Sequence, residues 1–230
     1  MADNINWESY YRKEPEIWDF EPGSDPMEIH RCMAAWSVFP SKQVNSLLDV
    51  GCGNGYFCHW ISAKKNIQKV VGADISEGRL TRASTRYPNI EFVHSDILHL
   101  PFTNSQFDVV ASIEVIEHQL DPLAALKELS RVSRRWVVIT VPNREVLQKA
   151  LCPYCLKIFP YAGHLHSFDI DRVKEMANQA HLVSERVRTY SMSMERIKQP
   201  LPQPLRAMAA IILDMVKGNR GGFLVARLCK

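Results

Sequence analysis

The chain lacks a long apolar run, an excess of charge of one sign, internal repeats and low-complexity tracts. Its 28 Lys and Arg stand against 25 Asp and Glu, which gives no reason to expect the clustered basic face of a nucleic-acid-binding protein. No stretch approaches the roughly 20 apolar residues of a transmembrane helix. The N-terminal segment lacks the basic and apolar regions of a signal peptide. The sequence therefore predicts a globular, cytoplasmic protein.

Cysteine is present at six positions. In a cytoplasmic protein these residues are interpreted as thiols or metal ligands rather than a disulfide framework. Cys152 and Cys155 form a C-x-x-C pair, and His164 and His166 follow. Such a set could bind zinc tetrahedrally, although the spacing is shorter than that of a zinc finger. The alternative is two free thiols in a loop that covers the substrate.

The length suits one α/β domain, spanning residues 1–230. Residues 46–141 alternate apolar strand patterns with helical patterns, which predicts a parallel sheet. The predicted strands are Leu47–Val50, Lys69–Ala73, Ile90–His94, Phe107–Ile113, Trp136–Val141, Leu182–Tyr190 and Phe223–Leu228. The predicted helices are Tyr56–Lys64, Gly78–Arg86, Pro122–Val132 and Ile170–Ala180. The expected fold is a Rossmann-like three-layer αβα sandwich with a seven-stranded sheet.

Three segments lie outside this alternation. We expect residues 1–45 to form a helical cap over the cofactor end of the sheet, and residues 143–168 and 192–220 to form insertions on the substrate side. Within the last of these, Leu205–Val216 is an apolar helical pattern next to basic residues. Residues 205–217 therefore have two interpretations: contact with a membrane or a lipidic substrate, or cover for a sheet face or dimer interface.

The most informative pattern runs from Asp49 to Gly55, where glycines occupy every second position from Gly51. Glycines at a strand-to-helix turn let a backbone approach a ligand closely, and the helix N-terminus suits an anion. A dinucleotide fingerprint would need G-x-G-x-x-G, although Asp74 lies at the distance such a site requires. The third glycine here is Gly55, and Tyr56 follows it directly. This D-x-G-x-G-x-G pattern resembles motif I of the class I S-adenosylmethionine (SAM) dependent methyltransferases.

The resemblance covers about residues 45–190 and implies a SAM site and an antiparallel last strand. The glycine turn, with Gly53 at its centre, would lie under the methionine part. The methionine carboxylate would lie near Asn54 and its ammonium near Asp49. Asp74 would bind the ribose hydroxyls and Asp96 the adenine amino group. Ile75 and Ile97 would lie beside the adenine ring. Tyr11, in an N-terminal W-x-x-x-Y segment, is a further predicted cofactor contact, and so are Cys52, Ser76 and Glu114.

A second pattern, E-x-x-E-H, follows the fourth predicted strand. In a helical turn Glu114, Glu117 and His118 would share one face and could hold a divalent cation. The segment resembles the metal-binding segment of ubiquinone-pathway O-methyltransferases and of small-RNA 3′-end 2′-O-methyltransferases. In those families a metal would acidify a substrate hydroxyl, and histidines follow the fifth strand, as His164 and His166 do here. The alternative is a metal-free site in which His118, His164 and Glu117 are catalytic.

The resulting prediction is a methyltransferase that uses SAM to methylate an oxygen of a small molecule, with nitrogen as the lesser option and a lipidic acceptor included. Two alternatives stay open. One is methylation of an RNA-terminal 2′-hydroxyl with a divalent metal, and the other is a non-catalytic protein that binds or senses SAM. The sequence leaves monomer and homodimer equally open.

Overall fold

The computed structural model describes residues 22–190 and 222–230, together with Tyr10. The predictions for Tyr11, for the rest of the N-terminal aromatic segment and for residues 192–220 lie outside the described residues. None of the helices within the described ranges is long and apolar enough to cross a membrane.

The described residues form five α-helices and nine strands. The helices are α1 (Pro26–Val38), α2 (Tyr56–Lys64), α3 (Glu77–Arg86), α4 (Pro122–Val132) and α5 (Ile170–Gln179). The strands are β1 (Ser46–Val50), β2 (Lys69–Asp74), β3 (Glu91–His94), β4 (Phe107–Ile113), β5 (Ser133–Pro142), β6 (Lys149–Leu151), β7 (Ile158–Pro160), β8 (Val183–Tyr190) and β9 (Phe223–Cys229). Single 3-10 turns occupy Ile116–His118 and Tyr161–Gly163.

Seven strands form one sheet in the order β3-β2-β1-β4-β5-β9-β8. β1 to β5 are parallel to one another, and β9 is antiparallel to both β5 and β8. The predicted seven-stranded sheet with an antiparallel last strand is confirmed. β6 and β7 form a separate two-stranded hairpin between β5 and α5.

Apolar side chains on both faces of the sheet explain the three layers. One face packs against α4 and α5, through residues such as Leu126 and Val173. The other packs against α1 and α2, through Val38 and Ile61. β4 is buried along nearly its whole length and is mainly apolar, with Asp108 and Ser112 as its two polar residues, as expected for a strand covered on both sides.

Local capping fixes where the helices begin. Asp121 and Asp169 accept hydrogen bonds from the N–H groups of Ala124 and Arg172 at the starts of α4 and α5. Pro122 follows the first of these caps, a position where the missing N–H costs nothing. Because β1, β2 and β4 are parallel, their carboxyl ends meet at one edge of the sheet, which is where open α/β sheets bind their ligands.

Candidate active site

The glycine turn between β1 and α2 is left-handed at Gly51, Gly53 and Gly55, with φ of 76°, 55° and 79°. A Cβ on Gly51 would lie 2.3 Å from Cγ2 of Val115, and one on Gly55 would lie 2.7 Å from the ring of Phe92. These two glycines allow close packing within the protein. A Cβ on Gly53 would meet only the guanidinium of Arg79, at 3.3 Å. Gly53 is therefore the least crowded of the three glycines, because only the end of a flexible side chain lies near a Cβ placed there.

Asp74 ties this turn to the end of β2. Its Oδ2 accepts a hydrogen bond from the N–H of Gly53 at 2.8 Å, and its Oδ1 accepts one from Ser76 at 2.9 Å. Each carboxylate oxygen of Asp74 has a further lone pair, so this buried side chain can still accept hydrogen bonds from hydroxyl groups. The Ser76 side chain caps α3 by accepting from the N–H of Arg79.

The N-terminus of α2 is connected to α1 through one asparagine. Oδ1 of Asn54 accepts from the N–H of Tyr56 at 3.0 Å, and its Nδ2 donates to Oε1 of Glu28 at 2.9 Å. The other oxygen of Glu28 accepts from the N–H of Gly23 at 2.6 Å. These bonds hold α1 against the glycine turn.

Asp49 and Cys52 have their side chains inside the protein. Oδ2 of Asp49 accepts from the thiol of Cys58 at 3.4 Å, and burial raises the pKa of Asp49 to about 7. Cys52 packs with Cys58 and Leu80, and its carbonyl accepts from the N–H of Gly55. A contact of either residue with the cofactor stays a prediction.

The segment predicted to bind adenine follows β3. Asp96 is exposed, and its Oδ1 accepts from the N–H of Leu98 at 2.9 Å. Ile97 is buried next to it, whereas Ile75 is half-buried after β2. The arrangement leaves the Asp96 carboxylate accessible, and its predicted role is untested.

The helical turn predicted for Glu114 to His118 is wrong. Glu114 is left-handed (φ 56°), and only Ile116–His118 form a 3-10 turn. Glu114 instead pairs with β5: its N–H donates to the carbonyl of Thr140, and the Thr140 hydroxyl donates to Oε1 of Glu114 at 2.8 Å. Glu114, Glu117 and His118 do not share a helical face. Burial raises the pKa of Glu114 to about 7, opposed by the charge of Arg31.

A different trio converges at the carboxyl end of β4. Oε1 of Glu117 lies 3.9 Å from Nε2 of His118 and 4.0 Å from Nε2 of His164. One ligand atom from each residue lies within 4.8 Å of the others. Glu117 is fully buried, and neither of its oxygens has a hydrogen-bond partner. We call these three residues the Glu-His-His cluster. Its members are the three residues that the sequence predicted as catalytic in a metal-free site, and each of them also belongs to one of the two metal hypotheses.

Hydrogen bonds at Nδ1 orient both histidines of the cluster. Nδ1 of His118 lies 3.2 Å from the carbonyl of Gly163, and Nδ1 of His164 lies 2.5 Å from Oε2 of Glu145. Because a carbonyl and a carboxylate accept, each Nδ1 carries the proton and each Nε2 presents a lone pair to Glu117. Glu145 was not predicted, since no motif links it to a histidine 19 residues later.

Electrostatics set the charge of the cluster. Burial raises the pKa of Glu117 well above its usual value, and the nearby Glu114 adds to this shift. Burial and the neighbouring His164 lower the pKa of His118 to about 4. His118 is therefore neutral near pH 7.

His166 and the cysteine pair are not part of this cluster. Nε2 of His166 donates to the carbonyl of Gln119, and its Nδ1 accepts from Arg172, so both ring nitrogens are used. Cys152 and Cys155 lie in the turn of the β6–β7 hairpin. Within the described ranges, the Glu-His-His cluster is the one group of three metal-binding side chains that converges. The predicted zinc set of two cysteines with His164 and His166 is not assembled.

Arg31 is a site residue that the sequence motifs did not indicate. It lies on α1, one turn after Glu28, and its positive charge acts on Glu114, Glu117 and His118. Its Nε is buried without a hydrogen-bond partner. A buried guanidinium N–H left unpaired is costly, which points to an anionic ligand at this position.

Comparison with known proteins shows which proteins this fold and the central part of the sequence resemble. Residues 48–139 match the family model described as a methyltransferase domain. The chain is similar to a structure of an S-adenosylmethionine-dependent methyltransferase from Mesorhizobium loti, with a TM-score of 0.66 and 17% identity over 87% of this chain and 98% of that one. At that identity the likeness concerns the fold alone.

Two curated relatives are similar to part of the chain. A probable S-adenosylmethionine-dependent methyltransferase from Mycobacterium tuberculosis is 30% identical over 46% of this chain and 38% of its own length. Ajmaline N-methyltransferase from Rauvolfia serpentina is 32% identical over 48% of this chain and 40% of its own. The alignments thus span about two fifths of these relatives. The resemblance is supported for this part of the chain: residues 48–139 match a methyltransferase domain and are similar to proteins that are described as SAM-dependent methyltransferases.

Proposed function

We propose that this protein transfers a methyl group from SAM to an oxygen atom of a small molecule, with the Glu-His-His cluster at the acceptor. The observation that carries the proposal is the position of this cluster. Val115, between Glu114 and the 3-10 turn, packs directly on Gly51 of the glycine turn. The cofactor turn and the cluster are therefore adjacent at the carboxyl ends of β1 and β4.

The residues of the turn supply the cofactor contacts. Gly53 leaves room for the methionine part, and Asp74 accepts the ribose hydroxyls. Arg31 meets the methionine carboxylate, because its unpaired Nε lies on the helix that is bonded to Asn54. A guanidinium that donates hydrogen bonds to a carboxylate at a helix N-terminus is a favourable arrangement. The Glu114 side chain is held by Thr140 and borders the same space.

The histidines of the cluster supply the acid–base chemistry. When bound, SAM offers an electrophilic methyl group, which the acceptor oxygen takes while the carbon–sulfur bond breaks and S-adenosylhomocysteine leaves. His118 is neutral, and its Nε2 lone pair accepts the proton of the acceptor hydroxyl. His164, oriented by Glu145, is the second such base. Holding the hydroxyl close to the methyl carbon is the other requirement.

The cluster also fits a divalent cation. Glu117 has two buried oxygens without hydrogen bonds, and both histidines present Nε2 while their Nδ1 atoms are held. Glu117, His118 and His164 would be the ligands, and a bound cation would acidify the acceptor hydroxyl. Carboxylate and imidazole together suit divalent metals of intermediate softness.

Methyl-labelled SAM tests the proposal. The purified chain is incubated with fractionated extract of its host, and label is expected in the small-molecule pool. His118→Ala and His164→Ala should abolish labelling while SAM affinity is retained. His59→Ala, on an exposed histidine of α2, is the matched control. Label in RNA would favour a terminal ribose hydroxyl as acceptor. SAM binding without any labelling would favour a non-catalytic binding protein.

A further inference from the structure

The β6–β7 hairpin is an exposed apolar arm apart from the main sheet. Its strands have three residues each and pair only with each other, with Leu151 opposite Ile158 and Ala150 opposite Phe159. Apolar side chains project from it into solvent: Tyr154 is 96% exposed, Leu156 71% and Ile158 69%. Leu151 and Phe159 are exposed as well. We call these five exposed residues the hairpin patch.

Such an element is not stable by itself. An isolated two-stranded hairpin is at best marginally stable in water, and these strands are shorter than usual. Exposed apolar side chains on paired positions contribute little until another surface covers them. Something further must hold the hairpin together and cover the hairpin patch.

The turn of the hairpin presents two sulfur atoms together. The N–H of Cys152 donates to the carbonyl of Lys157, and the N–H of Leu156 donates to the carbonyl of Cys152, each at 2.9 Å. Leu156 is left-handed, with φ of 56°. Cys152 and Cys155 therefore lie in one tight turn at the tip of the hairpin, where Cys152 is partly exposed and Cys155 is exposed.

We propose that Cys152 and Cys155 form half of a zinc site, which the same two cysteines of a second copy of this chain complete. Structural zinc takes four ligands, often all thiolates. Within the described residues, no histidine or acidic side chain joins the pair. A two-fold axis through the metal brings an identical pair to the other side, because an isologous interface uses the same surface twice. The thiol protons leave to solvent on binding.

The second copy also accounts for the hairpin patch. The patch residues lie in the same short hairpin as the two cysteines, so joining two tips at one metal would bring Leu151, Tyr154 and Ile158 of each copy close together. Lys149 and Lys157 lie in the same hairpin and are exposed. Their positive charges offset the net negative charge of a zinc ion bound by four thiolates. Metal binding then supplies the folding free energy that the two short strands lack.

The test uses the full chain, stripped of metal with a chelator and kept reduced with a phosphine. Zinc is titrated in, and the mass in solution and the bound zinc are measured by light scattering and elemental analysis. To remove competition from the Glu-His-His cluster, the experiment is run in the His118→Ala background. The expected result is one zinc for two chains and a doubling of mass, reversed by chelator. Cobalt should give thiolate charge-transfer absorption.

Cys155→Ser and Cys152→Ser are each expected to abolish both the doubling and the cobalt signal. Cys229→Ser, at a partly exposed cysteine outside the hairpin, is the control and should keep both. A monomer at saturating zinc would overturn the proposal, as would a dimer that ignores chelator. A dimer that only oxidant produces, and that phosphine dissolves, would mean a disulfide instead. None of these outcomes depends on methyl transfer or SAM binding.

Discussion

His164 and Glu145 form a hydrogen bond of 2.5 Å between Nδ1 and Oε2, across the loop that carries the β6–β7 hairpin. This bond fixes the proton on Nδ1, so that Nε2 faces Glu117. Carboxylates that orient a histidine in this way typically change activity about 10- to 100-fold when they are replaced.

Glu145→Gln is therefore expected to lower kcat about 10-fold or more. The neutral amide oxygen accepts a weaker hydrogen bond from Nδ1–H of His164, and it stabilises the protonated His164 ring less than a carboxylate does. The dissociation constant of SAM should stay the same. Steady-state kinetics together with calorimetric SAM titration make the measurement. Glu145→Asp should recover part of the loss. Equal activity of Glu145→Gln and wild type would show that His164 needs no such orientation.

Gly51 and Gly53 should respond differently to alanine. Both have positive φ, which costs about 1–2 kcal/mol for an L side chain, but only a Cβ on Gly51 would overlap Val115, at 2.3 Å. Gly51→Ala is therefore expected to lose clearly more free energy of unfolding in urea titrations. Gly53→Ala should lose less stability and more SAM affinity. Gly51→Ala with Val115→Ala should recover part of the lost stability. Equal stability losses in the two single variants would contradict this division.

Arg31→Ala should weaken SAM binding. A hydrogen bond to a charged group contributes about 1.5–3 kcal/mol, which corresponds to a rise in Kd of roughly 10- to 100-fold. The Kd of Arg31→Lys for SAM should lie between those of the wild type and Arg31→Ala, since an ammonium retains the charge but lacks the planar guanidinium. Decarboxylated SAM provides the control, because its affinity should not depend on Arg31. An equal loss for both ligands would mean that Arg31 acts elsewhere.

Asp49 should make folding stability depend on pH. Burial raises its pKa from 3.8 to about 7 in the folded protein, so the folded state binds more protons than the unfolded one between these values. Stability from this group is complete below about pH 4 and is lost as pH rises to about 7. Glu114 acts in the same direction, with a pKa of about 7.

Asp49→Asn removes this dependence for one group. Urea unfolding at pH 5 and pH 8 should show a loss of stability in the wild type, and a loss about 2 kcal/mol smaller in Asp49→Asn. Part of the dependence should persist because Glu114 is still present. A variant with the full wild-type dependence would show that Asp49 is ionised in the folded state at pH 5.

Local sequence patterns predicted most of the fold. The bounds of α2, α4 and β4 agree with the predicted ones, because caps such as Asp121 and mainly apolar strand segments act locally. The glycine turn was predicted for the same reason. The conformation of Glu114 was not, since its left-handed backbone is set by hydrogen bonds to Thr140 on the neighbouring strand.

The candidate site depended on contacts that sequence spacing does not encode. Glu117, His118 and His164 were predicted together as catalytic residues of a metal-free site, whereas the two metal hypotheses placed His164 apart from the other two with the cysteine pair. Their convergence depends on contacts between segments that are distant in sequence, such as the 3.2 Å contact between Nδ1 of His118 and the carbonyl of Gly163. Arg31 reaches the site because Glu28 bonds to Asn54, a side-chain contact between distant helices. No periodicity signals such a contact.

The central claim is that the Glu-His-His cluster acts on the methyl acceptor and not on the cofactor. Transfer of labelled methyl from SAM into host small molecules tests it most directly, when wild type, His118→Ala and His164→Ala are compared at matched SAM occupancy. The account predicts label in the wild-type reaction, a loss of about 100-fold or more in both variants, and unchanged SAM affinity. Undiminished labelling by both variants, or a loss fully explained by weaker SAM binding, would contradict it.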